Sequence, residues 1–418
     1  MILRQPDQVS VLKLMFVMGG ACALGPMAID MYLPALPMIE QEFRTSERLV
    51  QQSLMGFFLG LALGQLFMGS FSDKWGRRKI ILTGVMLYAA GAFGCVWATG
   101  IDMLIVCRFI QGVGAAVGMS VGMAVVRDLY VGFKATQLIA MISLIVSITP
   151  VIAPALGGMI VSRCSWKVIF AVLGCLALLV MLLVVLFLPE TSSREDRKRF
   201  LLLQVYRNYG HLLRSNRFLP FVLVAALCQA GFFAYISGAA FFFIKTHGLN
   251  ALQFSFVLMM SAFGMMLAVQ LNARLLQKFG AVNVVRTAVI LYMLSSILLL
   301  AIALLKVNSV VAYCVPIFVV AVMLPVIMPC CATLCLSSWG RIAGTASAMM
   351  GFFQFGVAAA VTAMVGVFAN GTAIPMFLGM VLCSVFALGC IVLLWPKQFE
   401  MSALGRGSSV PTVQNQER

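Results

Sequence analysis

One carboxylate lies deep inside an apolar stretch of this sequence. Asp30 stands in the run of apolar and small residues from Val17 to Pro37, and of the 13 acidic residues it alone falls well inside such a stretch. An ionised carboxylate in the middle of a membrane costs roughly 3 kcal/mol on insertion scales, so such a residue usually faces a cavity or a cationic partner. Asp30 is therefore a candidate for reversible proton binding and for contact with a substrate.

Arg108 is the cation that could act on this carboxylate. Counted from the outer ends of the first and fourth apolar stretches, Asp30 and Arg108 both lie about five or six residues in, or roughly 8–9 Å deep at the helical rise. They could therefore pair. Apolar surroundings favour the neutral carboxyl and a close guanidinium favours the carboxylate, so a balance of the two would permit proton exchange. Two simpler roles stay open: Asp30 as a structural partner of Arg108, and Arg108 as a packing group.

The elements that hold these two residues are membrane helices. The chain has 418 residues, of which 62% are hydrophobic and 10% charged, with a mean hydropathy of +1.05. Soluble domains carry about 25% charged residues, and a spanning helix needs about 20 mostly apolar residues. The segments are too long and too uniformly apolar for a β-barrel. Twelve spans are predicted, at about 11–36, 50–71, 80–99, 103–126, 136–162, 167–189, 218–245, 251–273, 282–305, 309–338, 342–370 and 373–395.

A polar stretch divides these spans into two sets of six. Residues 190–217 form the longest polar segment between spans, which predicts a first six-helix bundle at 1–189, a linker at 190–217, a second bundle at 218–395 and a tail at 396–418. The halves also repeat weakly: Gly69–Gly76 follows the second span as Ala273–Gly280 follows the eighth. An all-α integral membrane fold with pseudo-twofold symmetry and a site near the midplane follows from this pattern.

The charge distribution predicts orientation. The net charge is +16, and 22 Lys and Arg residues fall on the side of the N-terminus and linker against six on the other side. Excess positive charge marks the cytoplasmic side, so both termini are predicted in the cytoplasm of a bacterium, with the chain in the inner membrane. These cations are expected to contact anionic lipid rather than nucleic acid. Cys330, Cys331 and Cys335 have no histidine nearby and are predicted as buried apolar residues rather than metal ligands.

The loop after the second span combines glycines, an acid and a basic cluster. Gly69, Asp73 and Gly76 precede Arg77 and Arg78. Glycine permits a tight reversal between helices. Asp73 follows a helix C-terminus, which disfavours an anion unless another group holds it. A solvated basic turn would explain the cations but not the Gly-Asp-Gly spacing.

This loop resembles the major facilitator superfamily, in which G-x-L-x-D-R-x-G-R-R/K joins helices two and three. The resemblance covers nearly the whole chain. Arg108-x-x-Gln111-Gly112 resembles a fourth-helix motif of that family, and Leu188–Thr191 resembles its exit from the sixth helix. The segment Ile29–Pro37, the Phe-x-x-Tyr-Ile-Ser pattern ending at Ser237 and Ala343–Ala348 resemble the Bcr/CflA drug-resistance transporters.

The fifth span resembles the motif typical of proton-driven exporters in the same family. Its matching residues are Pro150, Pro154, Gly157 and Gly158, while Thr149 and Ala153 stand where the motif has glycines. Prolines distort this helix by removing backbone hydrogen bonds. We expect close packing here to seal the interface between the halves.

The resemblance implies roles for the charged residues. In this family Asp30 would exchange a proton for substrate, Arg108 would tune that step, and Asp73 would lock the cytoplasmic side with Arg127 and the start of the eleventh helix as partners. Some relatives carry a second acid two turns before the first-helix aspartate, where this chain has Cys22. With one acid, dicationic substrates are not expected.

The remaining polar groups at mid-depth are few. The predicted substrate cavity comprises Tyr32, Gln111, Gln229, Tyr235 and Gln354. Nearby phenylalanines and many of the 28 methionines predict an otherwise apolar lining, which suits varied lipophilic ligands. The simpler interpretation is that most of these aromatic and methionine side chains face lipid or neighbouring helices.

These observations predict a transporter that exports drugs or small metabolites in exchange for protons, works as a monomer and needs no cofactor or metal. One alternative is a dedicated carrier for a nucleoside, an amino acid or a siderophore. A membrane sensor would usually append a signalling domain, and none fits. An enzyme is not expected, because the chain has no nucleotide-binding loop and only His211 and His247 as histidines.

Overall fold

The computed structural model describes residues 10–192, 202–337, 339 and 342–395, and the predicted tail at 396–418 lies outside them. Twelve helices in this part of the chain are long and apolar enough to cross a membrane, as predicted. Numbered in chain order, they are α1 Val11–Glu42, α2 Glu47–Trp75, α3 Arg77–Val96, α4 Ile101–Leu129, α5 Gly132–Arg163, α6 Lys167–Phe187, α7 Leu219–Thr246, α8 Ala251–Phe279, α9 Ala281–Leu304, α10 Val310–Leu336, α11 Ala343–Val367 and α12 Ile374–Leu394.

The helices pack as two bundles with the same internal arrangement. Within the first six helices, α4 packs against α1, α2 and α3, while α6 packs against α1 and α3, and α5 against α1. Each pairing recurs in the last six helices when six is added to both numbers. The two bundles meet mainly through α2 with α11 and α5 with α8, which the same symmetry relates to each other. The structure therefore has the pseudo-twofold arrangement that the weak sequence repeat predicts.

Two tyrosines show how far the repeat extends. The Tyr88 hydroxyl on α3 donates to the carbonyl of Leu24 on α1 at 2.9 Å. The Tyr292 hydroxyl on α9 donates to the carbonyl of Cys228 on α7 at 3.0 Å. Both hydroxyls are buried and need a partner, so each bond fixes one helix against another in its bundle.

Tight turns repeat as well. Gly76 between α2 and α3 has φ of 104°, and Gly280 between α8 and α9 has φ of 73°. These are conformations that residues with a Cβ rarely adopt. Each glycine therefore lets two long antiparallel helices follow one another without an intervening loop.

A short helix, Leu202–Leu213, connects the bundles, and we call it the linker helix. The Tyr209 hydroxyl donates to the carbonyl of Leu66 on α2 at 3.0 Å, and the His211 ring lies edge-on to Trp339, which follows α10. The linker helix thus contacts both bundles. We call this side of the molecule the linker face and the opposite side, where α1 ends and α2 begins, the distal face.

Candidate functional site

The first membrane helix breaks immediately after Asp30. A regular helix runs from Val11 to Asp30, a 3-10 turn follows at Leu33–Ala35, and a second regular piece covers Leu36–Glu42. In a continuous helix the carbonyl of Asp30 would accept a hydrogen bond from residue 34, but Pro34 has no N–H to donate. The sequence therefore ends the helix at the residue that carries the charge.

The Asp30 side chain is half-buried and unpartnered. Among the residues that the structure describes, no cation lies within ion-pair distance of this carboxylate and no group donates a hydrogen bond to it. A carboxylate left without a partner in apolar surroundings is far more costly than a neutral carboxyl. The structure therefore leaves a negative charge on Asp30 uncompensated by the described residues in this conformation.

Arg108 is fully buried inside the first bundle and faces rings and an amide rather than a carboxylate. Its Nη1 donates to Oε1 of Gln111 at 2.7 Å. The guanidinium carbon lies 4.6 Å from the ring centre of Tyr32, 4.3 Å from that of Phe57 and 5.6 Å from that of Phe170. Aromatic faces attract a cation within about 6 Å, so these rings offset part of the cost of burying the charge.

The pairing of Asp30 with Arg108 that their similar depth allows is not formed in this conformation. The Nε and Nη2 atoms of Arg108 have no acceptor in the described part of the chain. The two residues lie at similar depth along their helices, as counted from the sequence. Depth along a helix does not fix the rotation of each side chain, and Arg108 turns into its own bundle.

The predicted substrate-cavity residues separate into two groups. Tyr32 and Gln111 are fully buried in the first bundle, where the Tyr32 hydroxyl and Ser53 Oγ are 2.7 Å apart and Gln111 holds Arg108. They support the arginine instead of lining an open cavity, which corrects that part of the prediction. The physical reason is that the Tyr32 hydroxyl and the Gln111 carbonyl oxygen find hydrogen-bond partners inside the bundle, while Gln111 Nε2 has none in the described part of the chain.

The other three lie on helices of the second bundle. Gln229 is half-buried on α7, and the Tyr235 hydroxyl on the same helix is buried without a partner among the described residues. The Gln354 amide on α11 lies 3.6 Å from the sulfur of Met328. These polar groups form few bonds with the protein, so they remain available to a ligand.

A cluster of three aromatic rings joins the bundles between these groups. The ring of Phe58 on α2 lies 4.4 Å from that of Phe233 on α7 and 6.4 Å from that of Phe355 on α11. Phe233 and Phe355 are 6.2 Å apart. Phe58 and Phe355 were missed by the sequence reasoning because single phenylalanines in an apolar helix give no signal of their position. The cluster supplies an adaptable apolar contact at the interface.

The two glycines of the exporter-like motif contact both sides of that interface. A Cβ at Gly157 would overlap the carbonyl oxygen of Met31, next to Asp30, and a Cβ at Gly158 would lie 3.0 Å from the carbonyl of Ala251 on α8. Only a glycine lets the backbones approach this closely. Helix α5 thus packs against the break in α1 on one side and against the second bundle on the other, while Pro150 and Pro154 lie within the same helix.

A cavity of about 410 Å³ opens at the linker face between the bundles. Four of the six predicted gate residues line it, namely Gly69, Asp73, Arg77 and Arg127. Other residues of α4, the linker helix and the start of α11 also line the cavity. Gly76 forms the adjacent turn, and Arg78 instead donates to the carbonyl of Val185 at 2.7 Å.

Asp73 is held from within its own bundle. Arg77 Nη1 lies 2.5 Å from Asp73 Oδ1, and Arg77 Nε lies 3.1 Å from Asp128 Oδ2. The backbone N–H of Arg77 donates to Glu190 at 2.8 Å. The expected interaction between Arg127 and Asp73 is not formed in this conformation, since Arg127 Nε donates to the carbonyl of Met123. The sequence reasoning missed Asp128 and Glu190, although both stand at helix ends beside a basic loop.

The distal face is closed where the linker face is open. Lys245 on α7 forms an ion pair with Glu40 on α1, which ties the two bundles together. The close approach of α5 to α8 seals the same side. A cavity between the bundles at one face and direct contacts at the other describe one of the two end states that an alternating-access transporter requires.

Comparisons with known proteins agree with this architecture. Residues 18–363 match the family profile described as Major Facilitator Superfamily. A bicyclomycin resistance protein homolog from Haemophilus influenzae is 31% identical over 91% of this chain and 96% of its own length. A chloramphenicol resistance protein from Pseudomonas aeruginosa is 26% identical over 78% of this chain and 77% of its own length. The crystal structure of a D-xylose-proton symporter superposes with a TM-score of 0.74 at 16% identity, covering 92% and 98% of the two chains.

Proposed function

Because this chain belongs to the major facilitator superfamily, we propose that it exports drugs or small metabolites from a bacterial cytoplasm in exchange for protons. It is a multi-pass membrane transporter and not an enzyme. The observation that carries the exchange proposal is the unpartnered carboxylate of Asp30 at the break in α1. The resistance proteins among its relatives support drugs as the substrate class.

The coupling mechanism follows from where Asp30 stands. With the distal face closed, no cation among the described residues lies close enough to stabilise the Asp30 anion, so a substrate arriving from the linker face would meet a protonated group. Binding of the substrate would release this proton to the linker side, and once the distal face opens the substrate would leave and Asp30 would take up a new proton from the distal side. One proton moving through about 100 mV supplies about 2.3 kcal/mol, enough for roughly a 50-fold gradient of a neutral substrate.

We assign the remaining site residues supporting roles. Arg108 is a fixed positive charge inside the first bundle, where Tyr32 and Gln111 orient it. Gln229, Tyr235 and Gln354 offer hydrogen bonds in an otherwise apolar interface, which suits lipophilic substrates. The gate residues around Asp73 would close the linker face when the distal face opens.

Orientation follows from charge. The linker face carries the loops rich in Lys and Arg, so we place this face and both termini in the cytoplasm of the inner membrane. The cavity at the linker face would then open toward the cytoplasm. The transporter is proposed to act as a monomer that needs no cofactor.

The test uses energised inside-out vesicles with a pH-reporting dye and compares the native chain with Asp30→Asn. We expect addition of a transported drug to release protons in the native chain and not in the variant. The matched control is Asp102→Asn, because Asp102 is an exposed carboxylate at the start of α4. Proton release that survives in Asp30→Asn would remove Asp30 from the coupling step, and a response only to a single metabolite would favour a dedicated carrier.

A further inference from the structure

Helix α10 loses a backbone hydrogen bond on its way through the second bundle. It contains Pro316, Pro325 and Pro329. In a regular helix the carbonyl of Pro325 would accept a hydrogen bond from residue 329, but Pro329 has no N–H to donate. A carbonyl freed in this way within a membrane needs another donor, because the bilayer core offers no water. A polar side chain from a neighbouring helix can meet this need.

Asn272 on α8 is placed to be that donor. Its side-chain nitrogen Nδ2 donates to the carbonyl of Pro325 at 3.5 Å. Its Oδ1 in turn accepts from Cys330 Sγ at 3.7 Å. The side chain is only 5% exposed. In the part of the chain that the structure describes, both partners of this buried amide therefore lie on α10, at the prolines.

The first bundle has neither the prolines nor the asparagine. Its helix α4 takes the place that α10 has in the second bundle and contains no proline. The turn glycines Gly76 and Gly280 align α2 with α8, and this alignment places Met68 at the position of Asn272. Met68 is buried and apolar. The amide is thus present where a helix has lost a backbone bond and absent where the matching helix is intact, as expected of a substitute for that bond.

The distorted part of α10 also contacts one of the predicted substrate-cavity residues. Met328 lies between Pro325 and Pro329, and its sulfur is 3.6 Å from Nε2 of Gln354 on α11. Cys330, which follows at once, is fully buried within the bundle. A change in the path of α10 at the prolines would therefore move the methionine on which the Gln354 amide rests.

We propose that Asn272 is a positioning residue, which replaces the backbone hydrogen bond lost at Pro329 and so holds α10 on the path that places Met328 against Gln354. Asn272 itself does not contact substrate. Its effect on Gln354 rests on the proposed function, in which this amide binds substrate, whereas its effect on α10 does not. Two separate measurements therefore test the two effects.

The first measurement is thermal unfolding in a double-mutant cycle. Asn272→Leu removes both side-chain bonds at similar volume, and Pro329→Ala returns an N–H that can donate to the carbonyl of Pro325. In the native background we expect Asn272→Leu to lower the Tm by about 2–4 °C. In the Pro329→Ala background the same change should cost less than half as much, because the carbonyl has its backbone donor again.

Two further variants make this cycle specific. Asn283→Leu is the matched control, since Asn283 Nδ2 also donates to a helix carbonyl, that of Phe279 at 3.2 Å, but far from α10. Its effect should be the same in both backgrounds. Cys330→Ala removes only the weak thiol donor and should change the Tm little. An equal loss from Asn272→Leu in both backgrounds would overturn the proposal, and so would a Cys330→Ala variant as unstable as Asn272→Leu.

The second measurement is the rate of drug transport per folded transporter. We expect Asn272→Leu to raise the KM for the drug about fivefold at a nearly unchanged maximal rate, the effect of losing about one neutral hydrogen bond to substrate. Addition of Pro329→Ala should restore the KM, which a loss of stability alone would not predict. Gln354→Ala should raise the KM to the same extent.

The outcomes separate the two effects. If Gln354→Ala raises the KM and Asn272→Leu does not, the positioning role is overturned. If neither variant changes the KM while the unfolding cycle behaves as expected, the role of Gln354 in the proposed function fails, and the assignment of Asn272 to the proline-distorted part of α10 stands.

Discussion

The two bundles have the same backbone arrangement, but their side chains at matching positions differ in charge. The matching tyrosine bonds align Leu24 with Cys228, which places Ala234 at the position of Asp30. Gly60 packs against the backbone of Phe109, and Gly264 packs against the ring of Phe318. Aligning these two contacts places Ile317 at the position of Arg108. Ala234 and Ile317 are both fully buried and apolar. The first bundle therefore carries two intramembrane charges that the second replaces with apolar side chains.

This difference separates the residues that give both bundles the same shape from the charged residues that only the first bundle carries. Helix packing depends on small residues, turns and buried hydrogen bonds, and these recur in both bundles because both need the same shape. A charge at mid-membrane has a cost of about 3 kcal/mol and is retained where it has a use. The second bundle instead presents polar amides and aromatic rings at the interface, as expected of a partner that binds substrate and moves.

Moving the carboxylate to the other bundle should abolish exchange. In the double variant Asp30→Ala with Ala234→Asp, we expect drug-induced proton release in vesicles to fall to background. The physical reason is that residue 234 lies within a continuous helix and is fully buried, whereas residue 30 stands at a break and is half-buried. Recovery of a tenth or more of native exchange would mean that the bundles are interchangeable at this position.

Replacing Arg108 with the isoleucine found at the matching position of the second bundle should lower transport without a large loss of stability. We expect Arg108→Ile to lower exchange at least tenfold, while the free energy of unfolding changes by no more than about 1 kcal/mol, because removing a buried charge offsets the lost contacts. The reverse change, Ile317→Arg, should destabilise the protein by several kcal/mol, since it buries a charge in a site packed around an aliphatic group. Thermal unfolding in detergent, with transport measured in parallel, checks both. Equal destabilisation by the two changes would contradict the comparison.

The smallest effect tests the shared scaffold. Tyr88→Phe and Tyr292→Phe each remove one buried hydroxyl bond to a helix carbonyl, and we expect each to lower the unfolding free energy by about 1 kcal/mol. Thermal unfolding should rank the two variants within experimental error of each other. A clear difference would show that the bundles share a shape, but that matching hydrogen bonds contribute unequally to their stability.

The sequence predicted the fold well because membrane spans follow from local composition. All twelve spans lie where apolar length places them. The first is longer than predicted and reaches Glu42, because Pro34 and Pro37 interrupt the helix without ending the span. The motif residues at the linker face were also predicted as a group, and four of them line one cavity.

The lateral relations between helices were not predictable in the same way. Asp30 and Arg108 match in depth, yet the arginine turns toward Tyr32 and Phe57. The partners of Asp73 and the ring cluster around Phe58 likewise depend on which faces meet. Residue counting gives height along a helix but not its rotation about its axis or the identity of its neighbour.

The sequence alone determined that this chain spans a membrane as two sets of six helices, that Asp30 and Arg108 lie within apolar spans, and that its basic loops share one face. Tertiary structure decided that these charges stand apart, that α5 packs into the break of α1, and that Glu40 meets Lys245 across the bundles. The reason is physical. Hydropathy acts along the chain and is visible residue by residue, whereas a contact between bundles depends on the packing of surfaces far apart in sequence.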